Sequence, residues 1–513
     1  MPPARPGVTA ALDRLVAALA DPARQQRTVA LALAGYCGLW TLYGVIAKGS
    51  QDVHFDMGEM VAWARETGWG TPKHPPFGAW LVRTWFSVFP LADWAYYLFA
   101  MMLATLALWI AWRLAARYLE GAKLAVGLAL LTLVPFYNFH ALKYNANTVM
   151  IPLWAATTAL FLRSYETRRP GAAALAGLAA AAAMLGKYWS IVLLLGLGIA
   201  ALVDPRRAVY FRSPAPWVTI LVGVAALAPH LAWLYANDFT PFTYAMETHP
   251  GTVLESIGSG LSYIEGAAAY MALPVLLAAL AAWPKGAALP AALHDTLWPA
   301  TPERRLAVLA FALPFCLPLV LAVAAHERVT SLWAIGGMTL LPVVLLSSPL
   351  IAVSAPAARR VIGVALALPL IAVALSPLIA FVIHRQGVPN HAAHYRQLAR
   401  AVETAWGAAT ERPLRFIGSY NNLLYGMLFY LPRDVAPLEI VDPRVTPWID
   451  QAAVARDGIA LACPVAERSC MQALDRRVQG TASRRSEVEI SRRYLGDADA
   501  PERFVIAIVS PRE

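Results

Sequence analysis

Apolar stretches recur along this chain from about Arg27 to His384 and then stop. A helix needs about 17 to 25 predominantly apolar residues to cross the ~30 Å hydrocarbon core of a bilayer. About eleven stretches approach that length, at residues 28–48, 94–112, 124–138, 146–162, 171–186, 188–203, 216–235, 263–283, 305–324, 331–352 and 361–383. Several are short enough that tilt or adjoining loop residues must complete them. The pattern predicts a mostly α-helical, polytopic membrane protein.

The pattern changes after His384 to short β-rich runs that alternate with polar helical segments. We predict strands at 414–418, 438–441, 458–463, 488–491 and 504–509, and a helix at 393–408. Such alternation is typical of a small α/β domain. The expected domains are a lead-in at 1–26, a membrane domain at 27–385 whose first outer loop is 49–76, and a soluble domain at 386–513. In the soluble domain we find no metal-ligand spacing, phosphate loop or nucleophile motif, which favours a lid or scaffold.

Composition agrees with a membrane location, since 58% of the residues are hydrophobic and 14% are charged, with a net charge of +10. The cations collect in every second loop, so the positive-inside rule places the N-terminus in the cytoplasm and the soluble domain outside. Because they are scattered over loops, the expected partner is anionic lipid and not nucleic acid. The lead-in is amphipathic and lacks a cleavage site, which makes the first span an uncleaved anchor. Outside the cytoplasm, Cys463 and Cys470 could form a disulfide.

The first outer loop places acidic residues, a histidine and two consecutive prolines just after an apolar span. A helix that starts near Phe55 would place two carboxylates and an indole on one face, through Asp56, Glu59, Met60 and Trp63. Its other face, with Met57, Val61 and Ala64, could rest on lipid or on neighbouring spans, along the membrane surface. Asp56 is the candidate catalytic carboxylate; alternatively it only begins the helix by accepting hydrogen bonds from free amide donors.

The same loop contains the pattern D-x-H-x-D, formed by Asp52, His54 and Asp56. Alternate residues of an extended segment share one side, so this pattern could bind a divalent ion. The side chains diverge if the segment is helical from residue 55. His249, in a later outer loop, could join such a site or cap a turn. No cofactor is required by these features, and a metal stays an open alternative.

Several cations and aromatic residues are expected on the outer side of the membrane domain. Lys187 lies beside Tyr188 at the outer end of an apolar span, where an ammonium is costly unless it meets an anion such as a lipid phosphate. A snorkelling interface anchor is the alternative. Arg328 could hold phosphate through paired donors, or pair with Glu327. Lys73, Lys143 and Tyr144 are further candidates for the same cavity. His74 could be a phosphate donor, a metal ligand or a packed residue of the turn.

The segment DMGEMVAW, followed by KHPPFGAWLVR, resembles the GT-C class of polyprenyl-phosphate-sugar glycosyltransferases. More narrowly, it is similar to the protein O-mannosyltransferase-like branch, which includes lipid A aminoarabinose and galacturonic acid transferases. Asp56 and the His74-Pro-Pro turn match the register of that branch. Three further stretches fit its layout: one begins at Tyr144, one ends at Ser190 and one begins at His326. The sequence departs from the branch at three positions: Met57 replaces a frequent Glu, Asn147 a usual Asp, and Lys73 an acidic residue.

The resemblance implies an inverting transferase in a bacterial inner membrane. It would move a sugar from a polyprenyl-phosphate donor to an extracytoplasmic glycolipid acceptor such as lipid A. Asp56 would orient or deprotonate the acceptor, and Lys187, Arg328 and His74 would face the charge that grows on the departing phosphate. The substrate-binding candidates are Glu59, Lys73, Lys143, Tyr144 and Tyr188. Alternatives are a protein O-mannosyltransferase and, in a different class, a lipid-linked sugar transporter or flippase.

Overall fold

The computed structural model describes residues 7–511 except 67, 249, 389 and 390. His249, which could join a metal site or cap a turn according to the sequence, therefore lies outside the described residues. The described residues up to 386 contain the α-helices α1 (Val8–Ala20), α2 (Gln25–Ala47), α3 (Phe55–Arg65), α4 (Phe77–Val88), α5 (Asp93–Ala115), α6 (Gly121–Thr132), α7 (Met150–Thr167), α8 (Pro170–Gly186), α9 (Ile191–Val203), α10 (Arg207–Phe211), α11 (Ala215–Ala236), α12 (Thr240–Thr248), α13 (Val253–Ala282), α14 (Leu289–Leu297), α15 (Pro302–Ala325), α16 (Leu341–Leu346) and α17 (Ala355–Gln386).

The predicted mostly α-helical membrane architecture is confirmed. Within the described residues, six helices are long and apolar enough to cross a membrane: α2, α5, α11, α13, α15 and α17. Shorter apolar helices cover 121–132, 170–186, 188–203 and 337–346. Each of the eleven predicted spans overlaps a helical segment, and the shortest ones fall on these broken or short helices.

The rest of the chain adds four helices and seven strands in the part that the structure describes. They are α18 (Tyr395–Ala409), α19 (Asn421–Tyr430), α20 (Gln451–Asp457), α21 (Arg468–Val478), β1 (Phe416–Ser419), β2 (Ala436–Glu439), β3 (Ile459–Pro464), β4 (Ser483–Ile490), β5 (Arg493–Tyr494), β6 (Asp497–Ala498) and β7 (Glu502–Val509). The main sheet has the strand order β2-β1-β3-β7-β4. Strands β2, β1 and β3 run parallel, whereas β7 is antiparallel to both β3 and β4.

Apolar side chains cover both faces of this sheet, which explains the continuous hydrophobic runs in β3 and β7. On one face, α18 and α19 bury residues such as Leu398 and Leu424 against Ile506. On the other face, Leu474 of α21 packs with Leu461. The edge strand β4 begins earlier than predicted. Its first residues are exposed and polar, so this part of the sequence lacks the alternation of apolar and polar residues that predicts a half-buried strand.

The helices and strands form two compact units. The first comprises the chain up to Thr41, Lys73–Phe77 and Leu98–Ala372, and the second comprises Leu42–Pro72, Gly78–Tyr97 and Val373 onward. The first outer loop therefore packs mainly with the C-terminal α/β elements. In the first unit, α8 packs closely against α11: a Cβ at Gly177 would lie 2.4 Å from the carbonyl oxygen of Thr219. Small residues permit such close helix approach in membranes.

Helix α3 is buried within the second unit, whereas the sequence left lipid and neighbouring spans open as the contact of its apolar face. Met57, Val61 and Ala64 are at most 6% exposed. The helix lies against α19 so closely that a Cβ at Gly58 would be 2.1 Å from the carbonyl oxygen of Tyr425. The sequence could not reveal this partner, because α19 is more than 350 residues further along the chain.

Candidate functional site

Asp56 occupies the first turn of α3, where the sequence placed it. His54 caps the helix, and its Nδ1 accepts a hydrogen bond of 3.2 Å from the backbone N–H of Asp56. The same nitrogen lies 3.6 Å from Oδ1 of Asp56. The Asp56 side chain retains 19% of its exposure. A carboxylate at a helix N-terminus is stabilised by the helix dipole, yet this one remains accessible to another molecule.

Glu59 lies one turn further along α3 and is only 4% exposed. The two carboxylates that the helical spacing grouped together therefore differ in accessibility. The C-terminal end of α3 is held by Arg65, whose guanidinium donates hydrogen bonds to the carbonyl oxygens of Val435 and Leu428, the latter at 2.7 Å. Burial lowers the pKa of Arg65 to about 10, which leaves it charged at neutral pH.

Asp52 is directed at two arginines of the C-terminal part of the chain. Its carboxylate lies 2.8 Å from Nη1 of Arg492 and accepts a 3.0 Å hydrogen bond from the backbone N–H of Arg396. Its own backbone N–H donates to the carbonyl of Ala392 at 2.6 Å. The next residue, Val53, donates to the hydroxyl of Tyr430 at 2.9 Å. These contacts fix the start of the loop that carries Asp56.

The D-x-H-x-D pattern does not become a ligand set. Asp52 faces the arginines, while His54 and Asp56 are engaged at the start of α3. Among the described residues, the group of His, Cys, Asp and Glu side chains whose ligand atoms lie near one another is elsewhere in the chain. The alternative of a metal at Asp52, His54 and Asp56, which the sequence left open, thus has no support in the geometry, because the Asp52 carboxylate is already paired with Arg492.

Lys187, in the first unit, follows the last residue of α8 in an extended conformation. Its ammonium donates a hydrogen bond to Oδ1 of Asn147 and lies 4.7 Å from the centre of the Trp333 ring. Asn147 is the residue that stands where the resembling branch usually has Asp. Trp333 was not predicted from the sequence; it belongs to a short 3₁₀ turn that follows the loop of Arg328. A neutral amide and an aromatic face form a setting in which an ammonium can meet an anion.

Tyr188, the residue after Lys187, lies close to two further rings. The hydroxyl of Tyr188 lies 3.0 Å from Nε2 of His230, and its ring centre is 4.8 Å from that of Phe242. Tyr144, by contrast, is 0% exposed and packs on Phe99 at 4.9 Å between ring centres. Of the two tyrosines predicted to bind substrate, Tyr188 is the more accessible.

Lys143 and Lys73 are half-buried cations of the first unit. Burial, and then the charge of Lys143, lower the pKa of His140. Nζ of Lys73 lies 5.6 Å from the centre of the Tyr244 ring. His74 is also half-buried, in the turn that precedes α4.

Arg328 is exposed in the loop that follows α15. This loop is joined to the segment before α13, since the backbone N–H of Gly251 donates to the carbonyl of His326 at 2.9 Å. Partial burial raises the pKa of the neighbouring Glu327 carboxyl. The loop that exposes Arg328 is therefore held by a backbone hydrogen bond to a second loop.

Cys463 and Cys470 form a disulfide that joins β3 to α21, with their Cα atoms 5.7 Å apart. Both cysteines are completely buried. The two cysteines of the apolar helices, Cys37 and Cys316, are free thiols.

Residues 73–233 match the family described as Dolichyl-phosphate-mannose-protein mannosyltransferase. The match confirms the predicted resemblance to a GT-C family over these residues. No curated protein matches the chain by sequence. The chain is similar to a crystal structure of ArnT from Cupriavidus metallidurans bound to undecaprenyl phosphate, with 15% identity, a TM-score of 0.60, and coverage of 93% of this chain and 97% of that one. The apo state of the same protein gives 13% identity, a TM-score of 0.56, and coverage of 93% and 98%.

The similarity extends beyond the matched domain and includes the C-terminal elements, because it spans nearly the full length of both chains. The protein therefore has an ArnT-like GT-C fold. The arginines at 396 and 492, which hold the Asp56 loop, were missed in the sequence because they follow no motif and act across hundreds of residues.

Proposed function

We propose that this protein is an inverting glycosyltransferase that moves a sugar from a polyprenyl-phosphate donor to an acceptor outside the cytoplasm. The observation that carries the proposal is the fold shared over 93% of the chain with a protein solved in complex with undecaprenyl phosphate. The family match over residues 73–233 supports it independently and includes both His74 and Lys187.

Asp56 is proposed as the group that acts on the acceptor. The acceptor oxygen attacks the anomeric carbon, its bond to carbon forms as the bond between that carbon and the phosphate oxygen breaks, and the configuration inverts. A hydroxyl acceptor loses its proton to the Asp56 carboxylate in this step. A phosphate acceptor needs no deprotonation, and Asp56 would then only orient it. The partial exposure of Asp56 and its fixed position on α3 support either role.

The departing polyprenyl phosphate gains negative charge as the sugar leaves. We assign Lys187 the main role in binding that phosphate, with Arg328 and His74 as further donors. The lysine is held by Asn147 and Trp333, so its position is largely set before substrate binds. Preorganised cations stabilise developing charge without reorganisation during the reaction. Contacts to the sugar and acceptor are assigned to Glu59, Lys73, Lys143, Tyr144 and Tyr188, of which Glu59 and Tyr144 are the most enclosed.

We infer that the protein lies in a bacterial inner membrane with the N-terminus in the cytoplasm and residues 386–513 in the periplasm. The alternating cationic loops support this orientation, and so does the Cys463–Cys470 disulfide, because such bonds persist in oxidising compartments. The preferred acceptor is lipid A or another envelope glycolipid. The description of the matched family favours protein O-mannosylation as the second candidate.

The proposal is tested by incubating the purified protein with a polyprenyl-phosphate sugar and either lipid A or an acceptor peptide, and following the product by mass spectrometry. For a hydroxyl acceptor, Asp56→Asn should lower the transfer rate by about 10²- to 10⁴-fold. The matched control is Asp434→Asn, which removes an exposed carboxylate of the same unit. Transfer that survives in Asp56→Asn at the rate of the control would contradict the base assignment.

Lys187→Met should reduce transfer strongly, and Lys187→Arg should restore part of it because the positive charge returns. Lys285→Met, at an exposed loop position, is the control. A flippase would give a different result: the donor lipid would cross the bilayer of proteoliposomes, and no sugar would reach either acceptor. That outcome, with Asp56→Asn and Lys187→Met still moving lipid, would refute the proposed transferase activity.

A further inference from the structure

Two histidines and a glutamate meet at the start of α18, and none of the three is assigned a role in glycosyl transfer. His391 and His394 lie in the turn that leads into this helix, and Glu502 begins β7. Their potential ligand atoms lie within 4.8 Å of one another. The sequence of this domain shows no metal-ligand spacing, because Glu502 follows His394 by 108 residues and only the fold of the sheet brings the two together.

The two imidazoles point the same nitrogen at Glu502. Nδ1 of His391 lies 2.8 Å from Oε1 of Glu502, and Nδ1 of His394 lies 3.0 Å from Oε2. One carboxylate therefore meets two Nδ1 atoms. This convergence places two nitrogen ligands and one oxygen ligand around a common point.

The opposite nitrogen of each ring is also held. Nε2 of His394 lies 3.2 Å from Oδ2 of Asp499, and Nε2 of His391 lies 2.7 Å from the hydroxyl of Tyr420. A metal-bound histidine almost always donates its second N–H to a carboxylate or another acceptor, which fixes both tautomer and ring orientation. Both rings already have such a partner on the side away from Glu502.

We propose that His391, His394 and Glu502 bind a Zn²⁺ ion through the two Nδ1 atoms and the carboxylate, with water as the fourth ligand. Two imidazoles and one carboxylate suit zinc, whereas Mg²⁺ and Ca²⁺ prefer oxygen ligands. The side chains of His391 and Glu502 keep 21% and 26% of their exposure, so water can reach the open position. The His394 side chain is 9% exposed and anchors the site in the domain.

Zinc would replace the protons that now lie between the imidazoles and the carboxylate, since a ligating imidazole must be neutral at the bound nitrogen. The ion would tie the segment before α18 to the first residue of β7. Its role would be structural, and it does not depend on the proposed glycosyl transfer. The alternative is that the same groups form only a hydrogen-bonded ion-pair cluster.

The test uses the full-length protein in detergent, stripped with a chelator and reloaded with Zn²⁺ alone. Mass spectrometry of the bound metal should find one zinc per chain, and Co²⁺ should give the visible absorption of a tetrahedral nitrogen and oxygen site. His394→Gln and Glu502→Gln should each abolish stoichiometric binding while preserving side-chain volume. Asp499→Asn should weaken the affinity by about 10- to 100-fold, as expected for an outer partner of a ligating histidine.

His326→Ala is the matched control, because it removes an exposed histidine from the other unit. It should bind zinc as the unaltered protein does. Failure of the unaltered protein to retain zinc above the level of Glu502→Gln would overturn the proposal, as would full retention by Glu502→Gln and His394→Gln. Both readouts are independent of transfer, so an inactive protein that binds zinc refutes only the proposed function. An active protein that binds none refutes only the metal site.

Discussion

Replacing Arg492 by Met is expected to release the loop that carries Asp56. The carboxylate of Asp52 is completely buried, and its shortest ion pair is the 2.8 Å contact to Arg492. Arg492 also donates to the backbone carbonyl of Gly49 at 3.1 Å and to that of Gln51 at 3.4 Å. Met has a similar length but offers neither the charge nor the donors.

The expected cost lies near the lower end of the range for breaking a buried pair. Removing one partner of such a pair costs about 3 to 5 kcal/mol, because the other charge is left uncompensated away from water. Asp52 would keep the backbone N–H of Arg396 at 3.0 Å and the Arg396 guanidinium at 3.6 Å. We therefore expect Arg492→Met to lower the free energy of unfolding by about 3 kcal/mol.

Urea unfolding of the protein in detergent, followed by tryptophan fluorescence, measures this loss. Arg493→Met is the matched control, since Arg493 is exposed, and it should change the stability by less than about 0.5 kcal/mol. Asp52→Asn combined with Arg492→Met should be more stable than Arg492→Met alone, because the buried charge is gone. A double variant as unstable as the sum of both single variants would refute the charge pairing as the source of the effect.

Three further changes test the second unit. Burial raises the pKa of the Glu439 carboxyl to about 7, so the native state keeps a proton that the unfolded chain releases near its ordinary pKa of 4.5. This stabilisation is present below the unfolded value and is lost as the pH rises through about 7, so Glu439→Gln should add up to about 3 kcal/mol near pH 8 and little near pH 5 in a pH series of unfolding. Gly58→Ala should destabilise by about 2 kcal/mol or more through its clash with α19, whereas Gly407→Ala, with open space around its Cβ, should gain about 0.5 to 1 kcal/mol; equal thermal shifts would contradict the packing. Cys470→Ser should cost about 2 kcal/mol by freeing the short loop to Cys463, and a reductant should lower the melting temperature of the unaltered protein but not of the variant.

The helical membrane architecture could be predicted from the sequence because a lipid bilayer requires long apolar runs, which are a local feature of the chain. The positions of Asp56 at the start of a helix and of Lys187 after another were predictable for the same reason, since helix ends have local signals. The residues that contact them could not be predicted. Trp333 meets Lys187, and Arg492 meets Asp52, through contacts between distant segments that no spacing encodes.

The sheet was predicted in outline because β3 and β7 are apolar throughout, and its edge strand was underestimated because β4 begins with exposed charges. The contacts of α3 could not be predicted for a related reason. A buried helix and a helix lying in the interface both present apolar residues, and only the distant α19 decides between them. The cluster of His391, His394 and Glu502 was not predicted because Glu502 is far from the two histidines in the sequence.

The ion pair between Asp52 and Arg492 joins residues 440 positions apart. During synthesis, the segment with the candidate base is made 440 residues before its anchor and cannot be fixed until Arg492 has been added. Contacts of such sequence separation form late and slowly, because a long loop must close first. A polypeptide that is truncated before Arg492, or in which the segment around Arg492 fails to fold, should therefore insert its helices normally and yet display a disordered loop. Correct folding of the loop that carries Asp56 would thus depend on the segment around Arg492.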